Sequence, residues 1–174
     1  MNRIYKMCIL IAIIIFADQV TKALVQQKFY LGESIPIIEG FFHFTYVRNP
    51  GAAFGMFGSH ADWIRIPILF ILPVVACFWL LYLMWGVRHK SLLQCTAYAL
   101  IFSGAVGNLI DRWSMNYVVD FLDFFYKGNH FPAFNIADSA ITIAAALLII
   151  DMLFFEKKRL EAEKVNQQNV STHS

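Results

Sequence analysis

The chain has 174 residues, 59% hydrophobic and only 15% charged, where soluble domains run at about 45–50% apolar and about 25% charged. A water-soluble monomer of this make-up would expose large apolar patches, which such monomers rarely do, and the hydrophobicity also excludes disorder. Three cysteines are too few for a disulfide scaffold, and a net charge of +2 without a basic face does not suit a nucleic-acid binder, so the arithmetic favours a one-domain integral membrane protein.

A spanning helix needs about 20 mainly apolar residues. The first candidate covers residues 7–25, CILIAIIIFA followed by DQVTKALV. MNRIYK ahead of it resembles the basic region of a signal peptide, but Asp18-Gln19 follows Ala17 directly and no small-residue cleavage site closes the run. A retained helix is therefore expected. The connection 26–63 carries two strand-like runs, LGESIPII and FFHFTYV, around Glu39-Gly40. Their Ile, Phe, Thr, Tyr and Val suit a small sheet lying on the membrane. Such strands either hold an extended peptide by strand addition or simply cap the helix ends.

The second span, 64–85, contains Pro67 and Pro73, tolerated in membranes where neighbours satisfy the freed carbonyls. The third span is 92–110 and the fourth 137–155, separated by a second long connection, 111–136, and followed by a polar tail, 156–174. The expected fold is an all-α membrane protein of four transmembrane helices with a small extracytoplasmic β-sheet.

Eight of the 14 basic residues (Arg3, Lys6, Arg88, Lys90, Lys157, Lys158, Arg159, Lys164) fall on one side of these spans. The two long connections share only Lys28, Arg48, Arg112 and Lys127. The positive-inside rule then puts both termini in the cytoplasm, and Trp63, Trp85 and Trp113 stand at span ends, as interfacial Trp does.

Ionisable groups in or beside spanning segments are costly and point to function. Here they come in five clusters. Asp18 and Lys22 are i,i+4 and can pair, whether for a site or as a helix anchor. Arg48-Asn49-Pro50-Gly51 opens a turn, followed by small residues 52–53 that permit close backbone approach. In SGAVGNLIDR, Ser103 and Gly107 allow tight helix packing, while Asn108, Asp111 and Arg112 share one face, where Arg112 can hold a carboxylate bidentately. Asp120 sits between Val119 and Phe121, with Asp123 nearby, and apolar flanks raise a carboxylate pKa. Asn135 and Asp138 are i,i+3 at a helix start, where an acid also serves as a cap.

Other residues carry less. Cys8, Cys77 and Cys95 lie in apolar segments and are expected in the core, and Asp151 is expected to face water or Lys157 and Lys158. The five histidines show no metal-ligand spacing, and no serine sits in a nucleophile elbow.

Three acids, Asp111, Asp120 and Asp138, thus gather at one membrane boundary with Asn108 and Asn135. Two adjacent carboxylates can hydrolyse a peptide bond unaided, one holding a proton and the other activating water. Spacing leaves open which two form the pair.

DQVTK (18–22), NPGAAF (49–54), SGAVGNLIDR (103–112), VVDF (118–121) and FNIADSAI (134–141) together resemble the five ordered blocks of the lipoprotein signal peptidase (signal peptidase II) family. The resemblance implies an aspartic endopeptidase of the bacterial inner membrane. It would cut diacylglyceryl-modified prolipoproteins just before the lipidated cysteine, at the outer face, and be sensitive to globomycin-type cyclic peptides. By motif it places the catalytic dyad at Asp120 and Asp138. It places Asn49, Gly51, Asn108, Asp111, Arg112 and Asn135 in substrate-binding or supporting positions, and Asp18 and Lys22 in structural ones. It implies no cofactor, no metal and no nucleic acid, and a monomer among membrane lipids. Ser103 departs from the commoner Gly but is still small.

Two rival readings remain at this stage. A small ion-coupled transporter would want its acids near the bilayer midplane and inverted repeats, neither of which is evident. A non-enzymatic assembly factor would use the acids only to hold helices together.

Overall fold

A computed structural model describes residues 3–51, 56–58, 60–155 and 159 of the chain. Four helices are long and apolar enough to cross a membrane: α1 (Arg3–Lys28), α2 (Asp62–Val87), α3 (Leu92–Met115) and α4 (Ile136–Phe154). Phe16, Phe78, Tyr82 and Leu153 point outward from them and are well exposed. Such an apolar exterior is what a lipid solvent requires.

Helix α3 is the hub, packed against α1, α2 and α4. Its small residues make this possible: Ala97, Ala99, Ser103, Gly104 and Gly107 are all buried. A Cβ on Gly104 would collide with the Ala137 carbonyl oxygen, and one on Gly107 would lie 2.6 Å from Asp18 Oδ2. Ser91 caps the start of α3, accepting from the Gln94 N–H at 3.2 Å. Asn116, in the left-handed conformation at φ 63°, ends it. The helix therefore continues past Ile110 and carries Asp111 and Arg112 as helical residues. Helix α2 widens to a π turn over Pro67–Ile71, between its two prolines. There the missing N–H groups break the regular ladder.

One end of the bundle carries a four-stranded antiparallel sheet in the order β1 (Ser34–Ile38), β2 (Phe42–Asn49), β3 (Val118–Tyr126), β4 (Asn129–His130). The two runs expected from the first connection supply β1 and β2, turning at Gly40 with φ 74°. The second connection supplies β3 and β4, so the sheet is larger than the sequence suggested. Its register (Arg48 opposite Val119, Asn49 opposite Val118) sets Asn49 beside the beginning of β3. A bulge between Phe44 and Val47 twists β2 at this point. Val25, Tyr46, Val119 and Phe121 form a buried cluster that seats the sheet on the end of α1.

Two expectations are corrected. Asp151 is buried, not facing water: it takes hydrogen bonds from Gln94 (2.8 Å) and Ser91 (3.3 Å) and pairs with Arg159. A carboxylate at this depth needs a cation and donors around it. Lys157 and Lys158, like the rest of the tail apart from Arg159, lie outside the described residues, as do the small residues 52–55. Cys8 is exposed on the bundle surface, whereas Cys77 and Cys95 are buried; a polarizable thiol is compatible with lipid as well as with a core.

Candidate active site

Two acids of the site share one lysine. Lys22 Nζ lies 2.9 Å from Asp18 Oδ2 and 3.0 Å from Asp111 Oδ2, with all three side chains almost fully buried. The i,i+4 spacing on α1 makes the first contact, and the close approach of α1 to α3 makes the second. The remaining oxygens are also used. Asp18 Oδ1 accepts from the Ala137 N–H (2.9 Å), tying α1 to the start of α4. Asp111 Oδ2 accepts from the Val119 N–H (3.1 Å), fixing the entry to β3. Gln19 Nε2 donates to Asp111 Oδ1 (3.0 Å), Asp18 Oδ2 (3.1 Å) and the Gly107 carbonyl (3.2 Å). This glutamine was quoted in the sequence motif without a role; its adjacency to Asp18 was the only signal for it.

Asp120 and Asp138 have no such partner. No lysine or arginine lies within ion-pair distance of either among the described residues. Asparagine residues hold them instead. Asn135, the N-cap of α4, donates from Nδ2 to Asp120 Oδ1 (2.7 Å) and from its backbone N–H to Asp138 Oδ2 (3.3 Å). Its Oδ1 accepts from the Asp138 N–H (3.0 Å), which completes a capping box. Asn49 Nδ2 donates to Asp120 Oδ2 (3.1 Å), and Asn108 Nδ2 to Asp138 Oδ1 (2.8 Å). Asn108 Oδ1 in turn accepts from Lys22 Nζ (3.0 Å), so one amide separates the two groups of acids.

Asp120 lies on β3, outside the spans. Its carboxyl is pushed up to about 7, first by burial and then by the charge of Asp138, against the hydrogen bonds from Asn49 and Asn135.

Both acids line a cavity of about 670 Å³. Its polar wall includes Asn49, Asn108 and Arg112; its apolar wall includes Pro73 of α2, Ala105 of α3, Ile141 of α4 and the segment Phe131–Phe134. Of that segment only Phe134, the first residue of the FNIADSAI block, carried a sequence signal. Arg112 does not form the bidentate carboxylate pair expected of it. It donates to the Gly51 carbonyl (3.1 Å), while Gly51 N–H donates to Asn49 Oδ1 (3.0 Å). Lys22 pairs with Asp111 instead. The Arg112 Nε is buried without a hydrogen-bond partner among the described residues. Among the described residues, no set of three or more His, Cys, Asp or Glu side chains is placed to hold a metal ion.

The family model described as "Signal peptidase (SPase) II" matches residues 10–154. The chain is 47% identical over 151 residues to a lipoprotein signal peptidase of Desulforapulum autotrophicum, covering 86% of this chain and 92% of that protein. It is 44% identical over 142 residues to that of Geobacter sulfurreducens, covering 82% and 88%. A solved structure described as a bacterial membrane enzyme, determined in meso at 2.3 Å resolution, superposes with a TM-score of 0.75 at 34% identity, covering 86% of this chain and 88% of the other.

Proposed function

We propose that this chain, which belongs to the signal peptidase II family, cleaves diacylglyceryl-modified prolipoproteins just before the lipidated cysteine with Asp120 and Asp138 as its catalytic pair. One observation carries the assignment. Four acids cluster here, and the two bordering the cavity are the two without a lysine between them. Burial without an ion-pair partner makes the Asp120 carboxyl hold its proton, which suits acid–base chemistry at neutral pH.

In this reading Asp120 starts protonated and Asp138 starts ionised. Asp138 takes a proton from a water molecule as that water attacks the scissile carbonyl carbon. Asp120 gives its proton to the carbonyl oxygen, producing a gem-diol. Collapse returns a hydroxyl proton to Asp120, breaks the C–N bond, and passes the proton on Asp138 to the departing amine. Arg112, Asn49 and Asn108 line the cavity, where they would hold the peptide backbone and the developing charge.

The substrate's acyl chains favour the membrane by about 0.8 kcal/mol per CH₂, so cleavage next to them has to occur at the boundary of the bilayer. The cavity's mixed wall, spanning helices on one side and sheet residues on the other, suits that depth. Arg3 and Arg88 meet at the opposite end, where the Arg3 guanidinium reaches the Arg88 carbonyl. This supports an inner-membrane protein with cytoplasmic termini and the site at the outer face. Globomycin-type cyclic peptides would compete for the same cavity.

The test is cleavage of a diacylglyceryl prolipoprotein by purified wild type, Asp120→Asn and Asp138→Asn. Each variant should lose about 10³-fold or more in rate while melting within a few degrees of wild type. EDTA should leave the wild-type rate unchanged, and the unlipidated precursor should be a poor substrate. Substantial turnover by either variant removes that residue from the mechanism.

A further inference from the structure

Asp123 is a buried acid that the chemistry above does not use. It lies on β3 directly opposite His43 of β2. Its carboxylate accepts from Thr45 Oγ1 (2.9 Å), and His130 Nδ1 lies 2.9 Å from Oδ1 and 3.1 Å from Oδ2. Thr45 continues through Ser34 Oγ (2.8 Å) to His43 Nδ1 (3.1 Å). One polar chain therefore crosses all four strands and ends on His130.

His130 begins the stretch that walls the cavity. The ladder holding β4 is only two residue pairs long, Phe125 with His130 and Tyr126 with Asn129. It is closed by Lys127-Gly128 with φ 49° and 79°, the positive-φ pair of a tight hairpin. A ladder this short is marginal on its own. The Asp123 bond and the stack of His130 on Phe125 (4.7 Å, 18°) supply what it lacks. Beyond His130 the chain folds back over β3: Phe131 N–H donates to the Phe124 carbonyl (2.8 Å), and Phe134 exchanges backbone bonds with Leu122 (2.8 and 3.1 Å). Asn135, which holds both cavity acids, comes next. The Phe131–Phe134 wall is thus tied to β3 by backbone bonds at Phe131 and Phe134, and the residue just before it, His130, adds a side-chain anchor at the near end.

We propose that Asp123 and His130 are positioning residues, a latch that sets the Phe131–Phe134 wall of the cavity and so governs how tightly the lipidated peptide is held. The proposal rests on the peptidase reading above for the identity of the ligand. The latch touches neither reacting carboxylate, so it acts on substrate binding and leaves the chemical step alone.

The experiment is steady-state kinetics of the purified full-length enzyme in detergent with a synthetic diacylglyceryl prolipoprotein peptide. His130→Ala should raise KM about fivefold or more with kcat within about twofold of wild type. His130→Asn, whose amide nitrogen replaces Nδ1, should recover most of the lost affinity. Asp123→Ala should match His130→Ala, and the double variant should be no worse than either. Phe131→Ala should raise KM by itself, with His130→Ala adding little in that background. A KM within twofold of wild type for His130→Ala, a kcat loss at unchanged KM, or no rescue by His130→Asn overturns the latch. If His130→Ala does not fold, the His130→Asn and Phe131→Ala arms decide it. Failure of wild type to turn over the peptide would count against the peptidase reading instead, and is read separately from the KM ratios.

Discussion

Two sets of carboxylates lie on either side of Asn108. In one, Asp18 and Asp111 grip the same lysine, and every oxygen has a donor. In the other, Asp120 and Asp138 receive only amide hydrogens and open onto a cavity. The depth of burial is similar for Asp111 and Asp120, so burial does not separate them; the cation does. A buried acid with its countercharge is committed to holding helices together. A buried acid without one keeps a labile proton, at a cost to the fold.

The largest expected effect comes from removing the cation. Lys22→Met strands two buried carboxylates, and leaving a buried charge unpaired costs about 3–5 kcal/mol. The melting temperature in detergent should collapse, or the protein should fail to accumulate. Asp18→Ala should be milder than Lys22→Met yet lower the melting temperature more than Asp120→Asn does. The reverse order would show that the lysine cluster is not the structural member of the pair.

A smaller effect tests the close approach that brings the lysine to Asp111. The Cβ of Gly107→Ala would stand 2.6 Å from Asp18 Oδ2 and 3.3 Å from Ala137 Cβ, so α1, α3 and α4 must spread. Overpacking of this kind costs about 1–3 kcal/mol. Gly86→Ala meets nothing within 4 Å and serves as the control, with no loss expected. Equal melting temperatures for the two variants would mean the three-helix contact is looser than described.

The four spans and the Asp18–Lys22 pair were legible because both follow from local rules: run length for the first, helical spacing for the second. The partnering of the acids was not. Asp111 is claimed by a lysine from another helix, and no spacing within SGAVGNLIDR reports that. The same holds for Arg112, which faced nearby carboxylates in the sequence but reaches the carbonyl of Gly51 once the first connection folds over it. Strand β3 was hidden for a different reason. VVDFLDFFY is nearly continuous in its hydrophobicity, and such a run has no alternation to mark it as extended. Asp123 was noted only as a neighbour of Asp120, and its pairing with His130 was missed, since that pairing exists only after β4 doubles back.

The smallest expected effect has the opposite sign. The Asp120 carboxyl moves from an ordinary 3.8 to about 7 in the folded protein, with burial as the main cause. The folded state therefore binds this proton more tightly than the unfolded chain does. The resulting stabilisation is complete below the ordinary carboxylate range and disappears as pH rises through about 7. Asp120→Asn removes this titration while keeping the side chain's size and one of the two acceptor oxygens that Asn49 and Asn135 reach. Wild type should lose a few degrees of melting temperature between pH 5 and pH 8 relative to Asp120→Asn, and at pH 8 the inactive variant should be the more stable by roughly 1–2 kcal/mol. Cleavage by wild type should decline over the same upper range as Asp120 gives up the proton it donates. A variant that kills activity yet firms the fold is the signature of an acid held without its countercharge. Parallel melting curves for the two proteins across this range would put Asp120 with Asp18 and Asp111, among the acids that only hold the bundle together.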